Sequence, residues 1–126
     1  MKKIIITKDA PQPIGPYNQA TLFNGMLFIS GQIALNPETG ELVMDSIENE
    51  THQVLKNLGA ILKEAGYSYD DVLKCSVFVT DMHMFSRINA IYSQYFKEEN
   101  APARELVQVA ALPRFVNVEI SVIAAK

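Results

Sequence analysis

The segment YNQATLFNGMLFISGQI, residues 17–33, decides the fold class. At its centre Asn24-Gly25 supplies two residues that tolerate positive φ, and β-rich runs flank the pair on both sides. That is the strongest short-range signature of an antiparallel hairpin, and it predicts strands from Tyr17 to Phe23 and from Met26 to Ile33. Upstream, Lys2–Thr7 reads as a short edge strand. Ala10–Pro16 reads as a loop, because Pro11, Pro13 and Pro16 lack the N–H that a central ladder requires. Downstream, Asn36-Pro37-Glu38-Thr39-Gly40 reads as a second turn, with proline presetting φ and glycine closing it.

Beyond this turn the period changes. From Asp45 to Ala65 the residues Ile47, Val54, Leu55, Leu58, Ile61, Leu62 and Ala65 recur at helical spacing, with Asp45 and Glu48 as a capping pair and Gly66 as terminator. Asp71–Thr80 then alternates, with Cys75, Val77 and Val79 on one face and Lys74, Ser76 and Phe78 on the other. Asp81 caps a second helix reaching to about Glu99, whose stripe of Phe85, Ile88, Tyr92 and Phe96 includes one polar member, Asn89. The β-rich runs Arg104–Ala110 and Val116–Ala124 flank Leu112-Pro113 and are expected to pair as a closing hairpin. The order strand, hairpin, helix, strand, helix, hairpin predicts one α+β domain over residues 1–126, with two helices covering one face of the sheet.

The other sheet face is distinctive. In the last strand Val116, Val118, Ile120 and Val122 point toward the helices, while Asn117, Glu119, Ser121 and Ile123 point away. Met26, Phe28, Ser30 and Gln32 of the third strand mix large apolar with small polar groups. Such a face suits a subunit interface or a cleft better than open water, so an oligomer is expected.

Composition narrows the functional classes. A chain of 126 residues, 48% hydrophobic and 20% charged, suits a single soluble globular domain. No apolar run approaches the roughly 20 residues of a membrane span. The net charge of −3 gives no basic footprint for nucleic acid. The opening run Met1–Ile6 is too short for a signal peptide, and the single Cys75 forms no internal disulfide, which together suit the cytoplasm.

A closing hairpin would set Arg104 opposite Glu119, on one face with Ser30, Ser121 and Gln108, where opposed Cβ atoms lie about 5 Å apart. On spacing alone this is a stabilising ion pair. As chemistry it joins a guanidinium to a carboxylate. Ser30 in a strand is ordinarily a packed hydroxyl, although Gly31 beside it permits close approach of backbone to a ligand. Asn89 is either a satisfied buried amide or a brace at a cleft, and Tyr17 can simply pack its ring with the hydroxyl wet. Cys75 reads as a small buried hydrophobe. His52 and His83 have no companions at ligand spacing, so no metal site is expected.

Five segments carry a resemblance: IGPYNQA (14–20), FISGQIALNPETGEL (28–42), VFVTDMHMF (77–85), INAIYSQYF (88–96) and PARELVQVAALPRFVNVEISVIA (102–124). In order and spacing they resemble the successive signatures of the reactive intermediate deaminase family, RidA or YjgF. The resemblance implies a chorismate-mutase-like α+β fold with a mixed six-stranded sheet, assembled as a homotrimer with clefts between subunits. It also implies hydrolysis of 2-aminoacrylate-type enamines and 2-iminobutanoate-type imines to 2-oxo acids and ammonia, with no cofactor and no metal.

Position by position, the resemblance puts the carboxylate-gripping arginine on Arg104 and the water-positioning acid on Glu119, with further cleft contacts at Tyr17, Ser30, Gly31 and Asn89. The residue types suit those tasks. A planar guanidinium holds a carboxylate by two parallel charge-assisted bonds, and a carboxylate orients a water and takes its proton. Leu106 stands where many members carry a cysteine, so a substrate contact there falls to its backbone, and substrate preference is the property the change puts in question. Two other readings remain: a non-catalytic regulatory trimer that binds small carboxylates in the same cleft and, more weakly, a ribonuclease, against which the acidic balance stands. The partners implied are small imino acids and copies of the chain itself, with neither nucleic acid nor membrane.

Overall fold

The computed structural model describes residues Met1–Lys126. Strands β1 (Lys3–Ile5), β2 (Ala20–Phe23), β3 (Met26–Gln32), β4 (Val72–Val79), β5 (Ala103–Gln108) and β6 (Val118–Ala125) form one mixed sheet in the order β1-β2-β3-β6-β4-β5. Helices α1 (Ile47–Glu64) and α2 (Phe85–Tyr92) cover one face. No helix is long and apolar enough to cross a membrane.

The hairpin at 17–33 forms as its turn chemistry demands, with Asn24 at φ 50° and Gly25 at φ 80° joining β2 to β3. β2 begins only at Ala20, because Gln19 serves the preceding loop instead. Its side chain is 1% exposed, accepts from the Thr7 N–H at 2.7 Å and donates to the carbonyls of Thr7 and Pro11 at 3.0 and 2.8 Å. These bonds give the proline loop the partners that a ladder cannot supply.

Helix α1 is capped by Ser46, whose Oγ accepts the Asn49 N–H at 3.0 Å, not by the expected pair of Asp45 and Glu48. Glu48 instead accepts from Nε and Nη2 of Arg87 on α2, each at 2.8 Å, which lowers the pKa of its carboxyl to about 2. Helix α2 stops at Tyr92, well short of Glu99. Past it the N–H groups of Gln94 and Tyr95 reach back only three residues, to Ile91 and Tyr92. This tighter winding brings Tyr95 and Phe96 onto the ring of Tyr69, at centroid distances of 5.4 and 5.6 Å.

The core lies between α1 and the sheet, where Leu27, Leu55, Leu58, Ile61, Leu62, Val77 and Ile120 are essentially inaccessible. Alternation in β4 and β6 is as the sequence indicates, with Cys75, Val77 and Val79 and then Val118, Ile120 and Val122 inward.

Two expectations fail, and both concern register. Gln32 does not share the face of Phe28. Ile29 opposes Val122 and Gln32 opposes Ile120, so β3 carries one extra residue at Ser30-Gly31. This bulge turns Gln32 inward, to 6% exposure.

The second failure is the closing hairpin. β5 and β6 are antiparallel to each other, but β4 lies between them, parallel to β5 and antiparallel to β6. The connection steps over the end of β4, pinned by Val109 N–H on the Val79 carbonyl (2.8 Å) and Thr80 N–H on the Asn117 carbonyl (3.1 Å). The apolar strand β4 thereby gains a ladder on each edge, an outcome that the local pattern of the two flanking runs cannot encode.

Candidate active site

The inserted strand separates the two principal candidates. Arg104 opposes Cys75 across the β4–β5 ladder and so lies on the helix side, whereas Glu119 opposes Phe78 across the β4–β6 ladder and lies on the open side. The ion pair expected from spacing does not exist, and the expected common face is split: Ser121 shares the open side with Glu119, whereas Gln108 shares the helix side with Arg104.

On the helix side, Arg104 is built into a fixed position. Its Nη1 donates to Asn89 Oδ1 at 2.9 Å, and its Cζ lies 4.7 Å from the ring centre of Tyr92 and 5.7 Å from that of Phe85. No carboxylate lies within 4 Å of it. Glu105, its neighbour in sequence, faces the other way, where the Ser76 hydroxyl and then the Lys74 ammonium hold its carboxyl below the usual range. A guanidinium held by an amide and two ring faces, with its charge unspent, can receive an anion.

β5 is the edge of the sheet. Because the Val109 N–H bonds to β4, the alternate residues Arg104 and Leu106 turn their backbone N–H and C=O off the free edge, beside the guanidinium. The Leu106 side chain packs against the core. Cys75 beneath is inaccessible, and burial pushes its thiol up to about 11, so it stays protonated at neutral pH.

On the open side, Glu119 lies against the bulge in β3. A Cβ at position 31 would meet Glu119 Cδ at 2.8 Å, so only glycine lets the carboxylate lie there. Burial pushes this carboxyl above the usual range, with no hydrogen bond or cation to offset it. It faces a cavity of about 130 Å³ lined by Pro11, Pro13, Ile14, Tyr17, Gly31, Ile33, Leu35 and Arg114 among others. Tyr17 is half exposed at the cavity wall. The Ser30 hydroxyl donates to the Asn18 carbonyl at 2.6 Å and lines the adjoining groove, not the cavity.

The structure thus gathers Tyr17, Gly31 and Glu119 into one cluster, with Ser30 beside it, and Arg104, Asn89 and Leu106 into another. Sequence reasoning took Tyr92 and Phe85 for core residues only. Their spacing at i+3 and i−4 from Asn89 was the available sign that one helix face serves Arg104. It missed Arg114 altogether. Arg114 and Phe115 are both left-handed (φ 55° and 57°), a conformation that neither residue type announces. No group of three or more His, Cys, Asp or Glu is placed to hold a metal ion.

Comparison with known proteins agrees with this architecture. The family model described as Endoribonuclease L-PSP matches residues 7–126. The chain is 45% identical over 124 residues to a human protein named 2-iminobutanoate/2-iminopropanoate deaminase, covering 98% of the chain and 90% of that protein. Among solved structures, the Rid family protein YyfA of Yersinia pestis superposes with a TM-score of 0.97 at 50% identity, covering all of both chains. Escherichia coli TdcF, solved with bound serine, gives 0.93 at 44% identity over 98% of each chain. With the matching fold and full-length similarity together, this chain is a member of the RutC/RidA family that the Endoribonuclease L-PSP model describes.

Proposed function

We propose that this chain is an enamine/imine deaminase, hydrolysing 2-iminobutanoate-type and 2-aminoacrylate-type intermediates to 2-oxo acids and ammonia. The carrying observation is the pair of unsatisfied charges. Arg104 is pinned by Asn89, Tyr92 and Phe85 without a carboxylate, and Glu119 is a desolvated acid without a cation. Each lacks the partner that a substrate with its water would provide.

Arg104 grips the substrate carboxylate through a bidentate pair of charge-assisted bonds. An enamine first tautomerises to the imine. Water then forms a bond to the imine carbon while Glu119 takes its proton, and that proton is passed to the nitrogen. The hydroxyl proton of the resulting carbinolamine is then carried by Glu119 to the nitrogen as the C–N bond breaks, releasing ammonia and leaving the 2-oxo acid. A carboxylate held above its usual pKa is a better proton acceptor than an exposed one.

Because Arg104 and Glu119 lie on opposite sides of the sheet within one chain, we place the complete cleft between two copies, in a homotrimer. The apolar content of the open face supports this, with Phe28 46% exposed and Leu73 51% exposed. A human relative named as an imine deaminase supports the chemistry.

A second reading, small-carboxylate binding without turnover, draws on the relative solved with bound serine. A net charge of −3 disfavours a ribonuclease. The test is to generate 2-iminobutanoate with a dehydratase and follow its loss. Wild type accelerates it, and Arg104→Ala loses about 10²- to 10³-fold in kcat/KM. No acceleration by wild type, or full activity in Arg104→Ala, contradicts the proposal, and saturable binding without turnover favours the second reading.

A further inference from the structure

Glu50 is the only acid in the buried interior, at 0% exposure, and no cation lies within 4 Å of it. Such a carboxylate is costly to keep unless donors fully occupy it. Its donors all come from one place. Oε2 accepts the N–H groups of Asn117 and Val118 at 2.8 and 3.2 Å, and Oε1 accepts the Asn117 side-chain amide at 2.8 Å. From the first turn of α1, this side chain therefore grips the two residues that lead directly into Glu119.

That stretch needs gripping. It follows the consecutive left-handed residues Arg114 and Phe115, a conformation that a Cβ disfavours. Its other ties to the sheet are the Thr80 N–H on the Asn117 carbonyl, the Thr80 hydroxyl on Asn117 Oδ1 at 3.5 Å and the start of the ladder at Val118, opposite Val79. The Glu119 side chain has no hydrogen bond, and its place is set by the backbone that carries it, opposite Phe78, and by packing on Gly31. A drift at 117–118 passes straight to the acid.

We propose that Glu50 is a positioning residue for the reaction, acting on Glu119 through the backbone of Asn117 and Val118. The proposal rests on the role given above to Glu119. It makes a chemical distinction that simple filling of the interior would not. A glutamine at position 50 keeps a carbonyl oxygen for the two backbone N–H groups, and Asn117 can turn its amide over to present Oδ1 to the new NH₂. Glutamine therefore preserves the grip, and alanine abolishes it.

The experiment measures kcat, KM and melting temperature for wild type, Glu50→Gln, Glu50→Ala, Glu50→Asp and Glu119→Gln in imine hydrolysis. Glu50→Ala lowers kcat by about 10- to 100-fold while KM stays within about twofold, because Arg104 lies elsewhere. Glu50→Gln returns kcat to within about threefold of wild type. Should the alanine variant not fold, Glu50→Asp, one methylene short, shows the same split with a loss of about fivefold. A folded Ala or Asp variant with wild-type kcat overturns the proposal, as does an equal loss in Ala and Gln. Full kcat in Glu119→Gln overturns the function proposed for Glu119 itself. Loss in Glu119→Gln beside wild-type kcat in Glu50→Ala overturns only the positioning role.

Discussion

Arg104 and Glu119 are the two charges to which the proposed reaction assigns its work, and the fold treats them oppositely. The guanidinium on the sheet edge is held by an amide oxygen at 2.9 Å and by two aromatic faces. The carboxylate on the open face rests on a bare glycine, desolvated and unbonded. One half-site is finished by a single chain, and the other is left reactive. The contrast teaches that, in the proposed reaction, substrate grip is preorganised by local packing, whereas the acid gains reactivity from what the fold withholds.

The largest effect expected from breaking this contrast is at the acid. Glu119→Gln keeps the shape and removes the base, so kcat falls by about 10²-fold while KM holds. A rise in KM with kcat intact would make Glu119 a binding group instead. Next comes its floor: Gly31→Ala puts a methyl 2.8 Å from Cδ of Glu119, closer than the two can stand, and kcat falls by about tenfold. Steady-state kinetics with an unchanged kcat would show that the acid does not need that approach.

Among the residues that hold Arg104, as distinct from Arg104 itself, the effects are smaller. Tyr92→Leu removes the ring face under Arg104 and raises KM by about threefold to tenfold. Tyr92→Phe leaves KM unchanged, since the buried Tyr92 hydroxyl has no partner. Equal KM values in the two variants would remove the ring from the account.

The smallest effect is on stability. Burial raises the folded-state pKa of Glu119, so its contribution favours folding at acid pH and is lost as pH rises through that raised value. Glu119→Gln accordingly melts higher than wild type at neutral pH, and the gap closes on acidification. A gap that is constant across pH would assign the difference to packing.

Much of this was legible in the sequence. Asn24-Gly25 gave the first hairpin and its register, and the alternation at 72–79 and 118–125 gave the inward face, because turn chemistry and period two are local properties. The family signatures brought out both charged residues. The insertion of β4 between β5 and β6 was not legible. Arg104–Ala110 and Val116–Ala124 carry the same alternation whether they pair directly or flank a third strand, and that choice is made by long-range ladder formation. The bulge at Ser30-Gly31 shows the same limit on a smaller scale. One extra residue inverted the expected facing of Gln32, although Gly31 marked where it occurred. Tyr92 reads as a core aromatic because its ring is one, and its second use appears only when Arg104 arrives from a distant strand.

The central claim, that a working cleft takes its arginine and its acid from different copies, is tested by mixing two inactive variants. Arg104→Ala and Glu119→Gln, each below about 1% of wild-type activity alone, are co-expressed with different tags and purified as mixed assemblies. In any mixed trimer, whether two to one or one to two, one cleft of the three joins an intact arginine to an intact acid, and about a third of wild-type activity returns. Mixed assemblies as inactive as their parents would place both residues in a cleft of one chain and contradict the account.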